Sequence, residues 1–250
     1  MTIRLADVEP SPDVFAAVMA TGILSIGAHN HGYRWLSDAL GVVATLGLVL
    51  LVLLVVVKAC AGRHKLRWDL SDPDVSLRLI TFVAACAVID TRLSSNVWVM
   101  RLLGAVGLSC WLALIGLSAR NMLAHRWAAL RDRAHGAWEL GSVGTSGLAI
   151  VIARAAYSTG HRWWLAVAVL AWVAALCIYG LMTWLILWRA VNERQDRDGF
   201  EPDTWILMGG LAIATLAGDN IHRLAPAWLA GPVRIVTIVT WLRPPCGYRR

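Results

Sequence analysis

The feature that most constrains this chain is a run of 26 residues without a charged side chain, from Trp163 to Trp188. A helix of about 20 apolar residues is long enough to cross the hydrocarbon core of a bilayer. Of the 250 residues, 58% are hydrophobic and 16% are charged, whereas a soluble domain carries about 25% charged residues. The sequence therefore predicts an integral membrane protein. Because its apolar runs are continuous rather than alternating, they predict helices and not a β-barrel.

Eight apolar segments are expected to form helices within a single transmembrane domain, residues 1–250. Their approximate bounds are 14–30, 38–59, 76–96, 98–119, 137–157, 163–188, 204–220 and, more weakly, 225–242. The odd-numbered segments begin near residues 14, 77, 138 and 204, at spacings of 63, 61 and 66 residues. A repeat of this length predicts a series of helical hairpins.

The two arms of each predicted hairpin differ in composition. The odd arms are rich in small residues, as in VMATGILSIG and SVGTSGLAIVIA, and the even arms are bulky, as in GLVLLVLLVVV. Segments three and five also have only 11 and 14 uncharged residues between charged ones, which favours burial inside a bundle over exposure to lipid. The sequence predicts an all-α membrane fold in which the odd helices form an inner ring around a pore.

The basic residues predict the orientation in the membrane. With the N-terminus in the cytoplasm, the inner loops and tails hold 15 Lys and Arg residues and the outer loops hold 4, as expected when basic residues stay inside. This bias also accounts for the net charge of +7, so no nucleic-acid partner is expected. The predicted location is the cell membrane, inner or plasma, with the lipid bilayer as a partner.

Small and hydroxylated residues recur on one face of the odd segments. Such a face can line a narrow pore whose hydroxyls bond an ion in transit, or it can be a seam where helices pack closely; both interpretations stay open. The candidate pore-lining residues are Ala17, Thr21 and Ser25 on segment one, Ser142, Thr145 and Ser146 on segment five, and Gly210, Ala214 and Thr215 on segment seven.

Two arginines stand at the ends of odd segments, Arg78 and Arg154. They are candidates for anion-attracting mouths of a pore, or they extend to the membrane interface without a further role. Asp90 and Arg92 are expected to pair locally. We find no cluster of His, Asp, Glu or Ser–Lys groups that would predict a catalytic site, and the five cysteines are too far apart for a structural zinc site. No enzyme activity, metal or cofactor is therefore predicted.

Two stretches, PDVFAAVMATGILSIG and PDTWILMGGLAIATLAG, resemble the first and seventh helices of the tellurite-resistance and C4-dicarboxylate transporter family. Plant slow-type anion channels, malate permeases and sulfite exporters are related to it. The resemblance implies five hairpins around an anion pore, a homotrimer, and transport of small anions such as C4-dicarboxylates, sulfite or tellurite. It also implies a pore-occluding phenylalanine on a ninth helix, a role that no motif assigns to Phe82.

The chain departs from that plan at its far end, because about seven to eight of the ten helices are present. A fifth hairpin would begin near residue 266, beyond the last residue. The chain is thus expected to be truncated at the C-terminus. The alternative hypothesis is therefore a non-transporting remnant, or a partner subunit, of the same family.

Overall fold

The computed structural model describes residues 11–60, 68–93, 97–124, 135–192 and 206–242, and every regular element in these ranges is helical. Among the described residues, four stretches are long and apolar enough to cross a membrane: Arg34–Cys60, Trp98–Ala124, Gly136–Thr159 and Arg162–Arg189. The prediction of an all-α membrane fold is confirmed. In chain order the helices are α1 (Phe15–Asn30), α2 (Arg34–Cys60), α3 (Pro73–Leu79), α4 (Thr81–Arg92), α5 (Val97–Ala124), α6 (Leu140–Thr159), α7 (Arg162–Asn192), α8 (Ile206–Leu224) and α9 (Ala227–Leu242).

The third predicted segment, 76–96, is two helices that meet at Ile80. Helix α3 begins earlier than predicted, since the Asp72 side chain caps it by accepting from the Asp74 backbone N–H and Pro73 occupies the first turn. At the junction, the Ile80 N–H donates to Leu77 O three residues back, and the Thr81 hydroxyl donates to Arg78 O at 2.7 Å. Tighter bonds of this kind interrupt the regular α-helical hydrogen bonding between α3 and α4.

Burial divides the arms as their composition predicts. In the most apolar stretch of the span Gly136–Thr159, which contains α6, 83% of the residues are buried. The corresponding values for α2, α5 and α7 are 17%, 11% and 22%. Helix α4 is also buried along nearly all of its length. Helices α4 and α6 therefore make the core, α1 and α8 bury only part of their surface, and the even arms present bulky apolar side chains outward.

The core helices approach one another closely because small residues lie where they meet. Helix α6 packs on α4, α7 and α8, and α4 packs on α1. A Cβ added to Gly144 of α6 would lie 2.0 Å from Ile80 Cγ2, and one added to Gly22 of α1 would lie 2.5 Å from Val88 Cγ1. These two glycines permit contacts that any side chain would block.

The last predicted segment is helical despite its proline. Helix α9 contains Pro232 within it and packs along α8. Its contact with α8 is close, since a Cβ on Gly218 would lie 2.3 Å from Thr237 Oγ1. Of the 15 basic residues counted above in the inner loops and tails, 12 lie outside the described ranges: Arg4, Arg63, Lys65, Arg67, Arg126, Arg131, Arg133, Arg194, Arg197, Arg243, Arg249 and Arg250.

Candidate functional site

The four odd arms meet around a narrow space, which we call the central cleft. Its lining comes from every odd arm and is apolar except for Thr91. The part of it open to water is ≈ 10 Å³, about the space that one water molecule occupies. The cleft is therefore closed to an ion in this conformation. The lining residues are Ile23 and Ile26 of α1, Ala84, Ala87, Val88 and Thr91 of α4, Gly147 and Ile150 of α6, and Ile213 and Leu216 of α8.

The three candidate pore-lining residues of α1 have separate environments. Ala17 is exposed, and the Thr21 hydroxyl donates to Ala17 O at 2.8 Å within its own helix. Ser25 is fully buried; its hydroxyl donates to Ser37 O of α2 at 2.7 Å and accepts from Arg92 Nε of α4 at 3.0 Å. Ser25 thus joins three helices at one end of the bundle.

The three candidates of α6 are all buried. The Ser142 hydroxyl lies 3.0 Å from Glu139 Oε2, and Thr145 accepts from Trp111 Nε1 of α5 at 3.0 Å. Ser146 differs from both, because its hydroxyl has no hydrogen-bond partner. It directly precedes Gly147, which lines the central cleft.

The candidates of α8 contact the even arms. A Cβ on Gly210 would lie 3.2 Å from the Tyr179 ring of α7 and 3.4 Å from Ser142 Oγ. Ala214 O accepts from Trp172 Nε1 of α7 at 2.8 Å, and the Thr215 hydroxyl lies 2.9 Å from that of Thr240 in α9.

Among candidates on different helices, the structure places Ser142 against Gly210. The lining of the central cleft consists of residues beside them, on an adjacent face of the same helices. Its α4 side follows helical periodicity, through Ala84, Ala87, Val88 and Thr91. Sequence reasoning assigned no pore-lining residue to α4, because this face is apolar except for Thr91.

Arg154 lies at one end of the central cleft. Its Nη1 donates to Thr91 O at 3.3 Å, and its Nε is 3.3 Å from Asp90 Oδ2. The Asp90 side chain is 0% exposed, and neither of its carboxylate oxygens has a hydrogen-bond partner. The pair is thus held by charge attraction alone. The Asp90 carboxylate is shielded from water and accepts no hydrogen bond in exchange.

Arg78 lies near the opposite end of the α3–α4 segment, twelve residues or about 18 Å of helix from Asp90. Its Nη1 donates to Asp13 Oδ2 at 3.1 Å, and its Nη2 is 3.4 Å from His135 Nε2. His135 Nε2 is in turn 3.3 Å from Asp74 Oδ2. Both arginines predicted to attract anions are therefore paired with carboxylates.

The local pair expected between Asp90 and Arg92 is not formed. Asp90 pairs with Arg154 instead, and Arg92 forms an ion pair with Asp38 of α2. Gly41 of α2 leaves room for this arrangement, since a Cβ there would lie 3.0 Å from Arg92 Nε. Asp90 and Arg92 of α4 thus form ion pairs with two different helices, α6 and α2.

Glu139 is a further buried charge, which sequence analysis did not include in the site. It is fully buried at the start of α6. Its Oε1 accepts from the Thr183 hydroxyl of α7 at 2.7 Å, and its Oε2 accepts from Ser142. Within the described ranges no salt bridge joins it to a basic residue. Nor do those ranges contain three or more His, Cys, Asp or Glu residues placed to hold a metal ion.

Comparison with known proteins adds one finding. A family model described as voltage-dependent anion channel matches residues 10–242. No curated protein and no solved structure gave a significant match. The match covers all four hairpins and both ends of the central cleft.

Proposed function

Because the chain belongs to the voltage-dependent anion channel family, we propose that it moves small anions across the cell membrane through the central cleft. The family's members are channels and transporters rather than enzymes. The observation that carries the proposal is the position of Arg154, a cation at one end of a closed apolar cleft between the four odd arms.

The Asp90 carboxylate holds Arg154 while the cleft is closed. An incoming anion takes over the role of that carboxylate, since the guanidinium bonds any planar or tetrahedral oxyanion well. Because Asp90 is fully buried and has no other partner, it must move or take up a proton when the anion displaces it. The incoming anion and the Asp90 carboxylate therefore compete for the Arg154 guanidinium.

We also assign Ser146 as a hydrogen-bond donor to the anion. Its hydroxyl is buried and has no partner, and Ser146 directly precedes Gly147 of the lining in the sequence. A hydroxyl can replace part of an ion's hydration shell. The assignment of Ala17, Thr21, Ser25, Ser142, Thr145, Gly210, Ala214 and Thr215 to the pore lining stays a prediction, as does that of Arg78 to a mouth.

The family resemblance supports C4-dicarboxylates, sulfite or tellurite as substrates and a homotrimer as the assembly. The excess of basic residues in the inner loops supports a cytoplasmic N-terminus. These finer assignments rest on the sequence alone.

Flux from reconstituted liposomes tests the proposal. We expect liposomes with the wild-type protein to release chloride, malate or sulfite faster than protein-free liposomes. The variant Arg154→Gln leaves Asp90 charged and uncompensated. We expect its anion flux to be at least about tenfold lower than that of the wild type, which corresponds to a barrier higher by about 1.4 kcal/mol. The control Arg162→Gln changes an exposed arginine at the start of α7 and leaves flux unchanged.

A double variant tests whether the uncompensated Asp90 carboxylate causes the loss of flux. Asp90→Asn combined with Arg154→Gln removes both charges, so we expect more flux than with Arg154→Gln alone. Absence of any anion flux in monodisperse wild-type protein contradicts the proposal.

A further inference from the structure

A groove with a wholly apolar lining lies between α2 and α5, outside the central cleft. Its volume is ≈ 300 Å³. Its floor includes Phe15 of α1 and Phe82 of α4, whose rings meet edge to face with centroids 5.0 Å apart. The remaining lining residues are Val52, Val55 and Val56 of α2, Trp68, Leu79 of α3, and Cys110, Ala113 and Leu114 of α5.

The groove exists because its two walls belong to different hairpins. Helix α2 packs on α1 and α4, and α5 packs on α3, α4 and α6. Only 17% and 11% of the residues in the most apolar stretches of α2 and α5 are buried. Both helices are long enough to span a membrane, so the space between them lies at the depth of the acyl chains.

One end of the groove has the character of a membrane interface. The valines of α2 lie in its last three turns, and Lys58 stands in its final turn. Trp68 lines the groove, and tryptophan is enriched where lipid headgroups begin. The sequence between them, AGRHKLR at 61–67, adds three basic residues. Basic residues next to the end of a span attract anionic lipids.

We propose that this groove binds an acyl chain of an anionic phospholipid from the leaflet on the Lys58 side, with its headgroup at Lys58 and Trp68. An apolar occupant is required because the lining offers no polar group. The basic residues at and directly after the end of α2 favour an anionic headgroup. This inference is independent of anion transport and holds whether or not the protein conducts.

Photocrosslinking tests the site in the wild-type protein. Phosphatidylglycerol with a diazirine in its acyl chain is incorporated into nanodiscs, and phosphatidylcholine with the same chain serves for comparison. We expect adducts concentrated at 52–56 and 110–114, and several-fold more adduct with phosphatidylglycerol. Adducts spread evenly along the outer faces of α2 and α5 overturn the proposal.

Native mass spectrometry of variants provides a second measurement. Ala113→Trp fills the groove, and we expect it to lose the phospholipid that the wild type retains. The control Ala119→Trp places the same side chain on an exposed position of α5 outside the lining and keeps the lipid. Lys58→Gln keeps a lipid but loses the preference for phosphatidylglycerol over phosphatidylcholine.

Two outcomes contradict the proposal. If Ala113→Trp retains the lipid to the same extent as Ala119→Trp, the acyl chain lies elsewhere. If Ala113→Trp instead dissociates an oligomer that Ala119→Trp preserves, the groove is an interface between copies of this chain.

Discussion

At the scale of single residues, the partners of the charges decide what they can do. The sequence places Arg154 at the end of an odd segment, which suggests an attractive positive charge. The structure adds Asp90, fully buried and without a hydrogen-bond donor, 3.3 Å from Arg154 Nε. A charge with such a partner presents little net field to an approaching anion. Arg154 can therefore bind an anion only as Asp90 is displaced or neutralised.

This pairing predicts the effect of Asp90→Asn. With the carboxylate gone, an anion is the only available counter-charge, so we expect faster anion flux than in the wild type, by about tenfold. The melting temperature of the variant in detergent should rise with chloride or malate concentration more steeply than that of the wild type, since bound anion stabilises the folded state. Asp38→Asn is the control, because Asp38 is 71% exposed and forms its ion pair with Arg92 rather than with Arg154. Wild-type flux together with an anion-independent melting temperature would contradict the role of Asp90.

At the scale of helices, composition predicted the burial of α4 and α6 but not which face of each odd arm lines the cleft. Small residues separate α4 and α6 from the bulky α2, α5 and α7, and burial follows that division. The same small residues occur on several faces, so composition does not show that the Ser25 hydroxyl binds Ser37 and Arg92. The orientation of a helix about its axis depends on contacts between distant segments, such as Gly144 against Ile80. No local pattern contains that information.

The contact between Gly144 and Ile80 predicts a large difference between two glycine substitutions. In Gly144→Ala the new methyl meets Ile80 Cγ2 and lies 3.2 Å from Ile80 O, so we expect a loss of about 1–3 kcal/mol of stability from overpacking. Gly116→Ala adds a methyl group to α5 with no atom within 4 Å. Because alanine has a higher helix propensity than glycine, we expect this variant to be more stable by up to ~1 kcal/mol. Thermal unfolding of the two variants in the same detergent measures the difference. Equal melting temperatures would show that α4 and α6 do not meet in this way.

At the scale of the whole molecule, the described helices form a bundle around α6, and the charged groups gather at its two ends. Arg154 and Asp90 mark one end, and Arg78, Asp13 and His135 mark the other. The centre of the hydrocarbon core must lie between these sets, because a charged group is costly there. Which set faces the cytoplasm depends on the loops, where basic residues favour the Arg78 side.

Cysteine labelling in intact cells tests this orientation. Cys60 ends α2 on the Arg78 side and is exposed, and His161 precedes α7 on the Arg154 side and is exposed. In a Cys246→Ser background, we expect a membrane-impermeant maleimide to label Cys60 only after the cells are permeabilised. With Cys60→Ser and His161→Cys added, we expect labelling of intact cells at position 161. Labelling of Cys60 in intact cells, with position 161 protected, would reverse the assignment and place Arg154 at the cytoplasmic mouth.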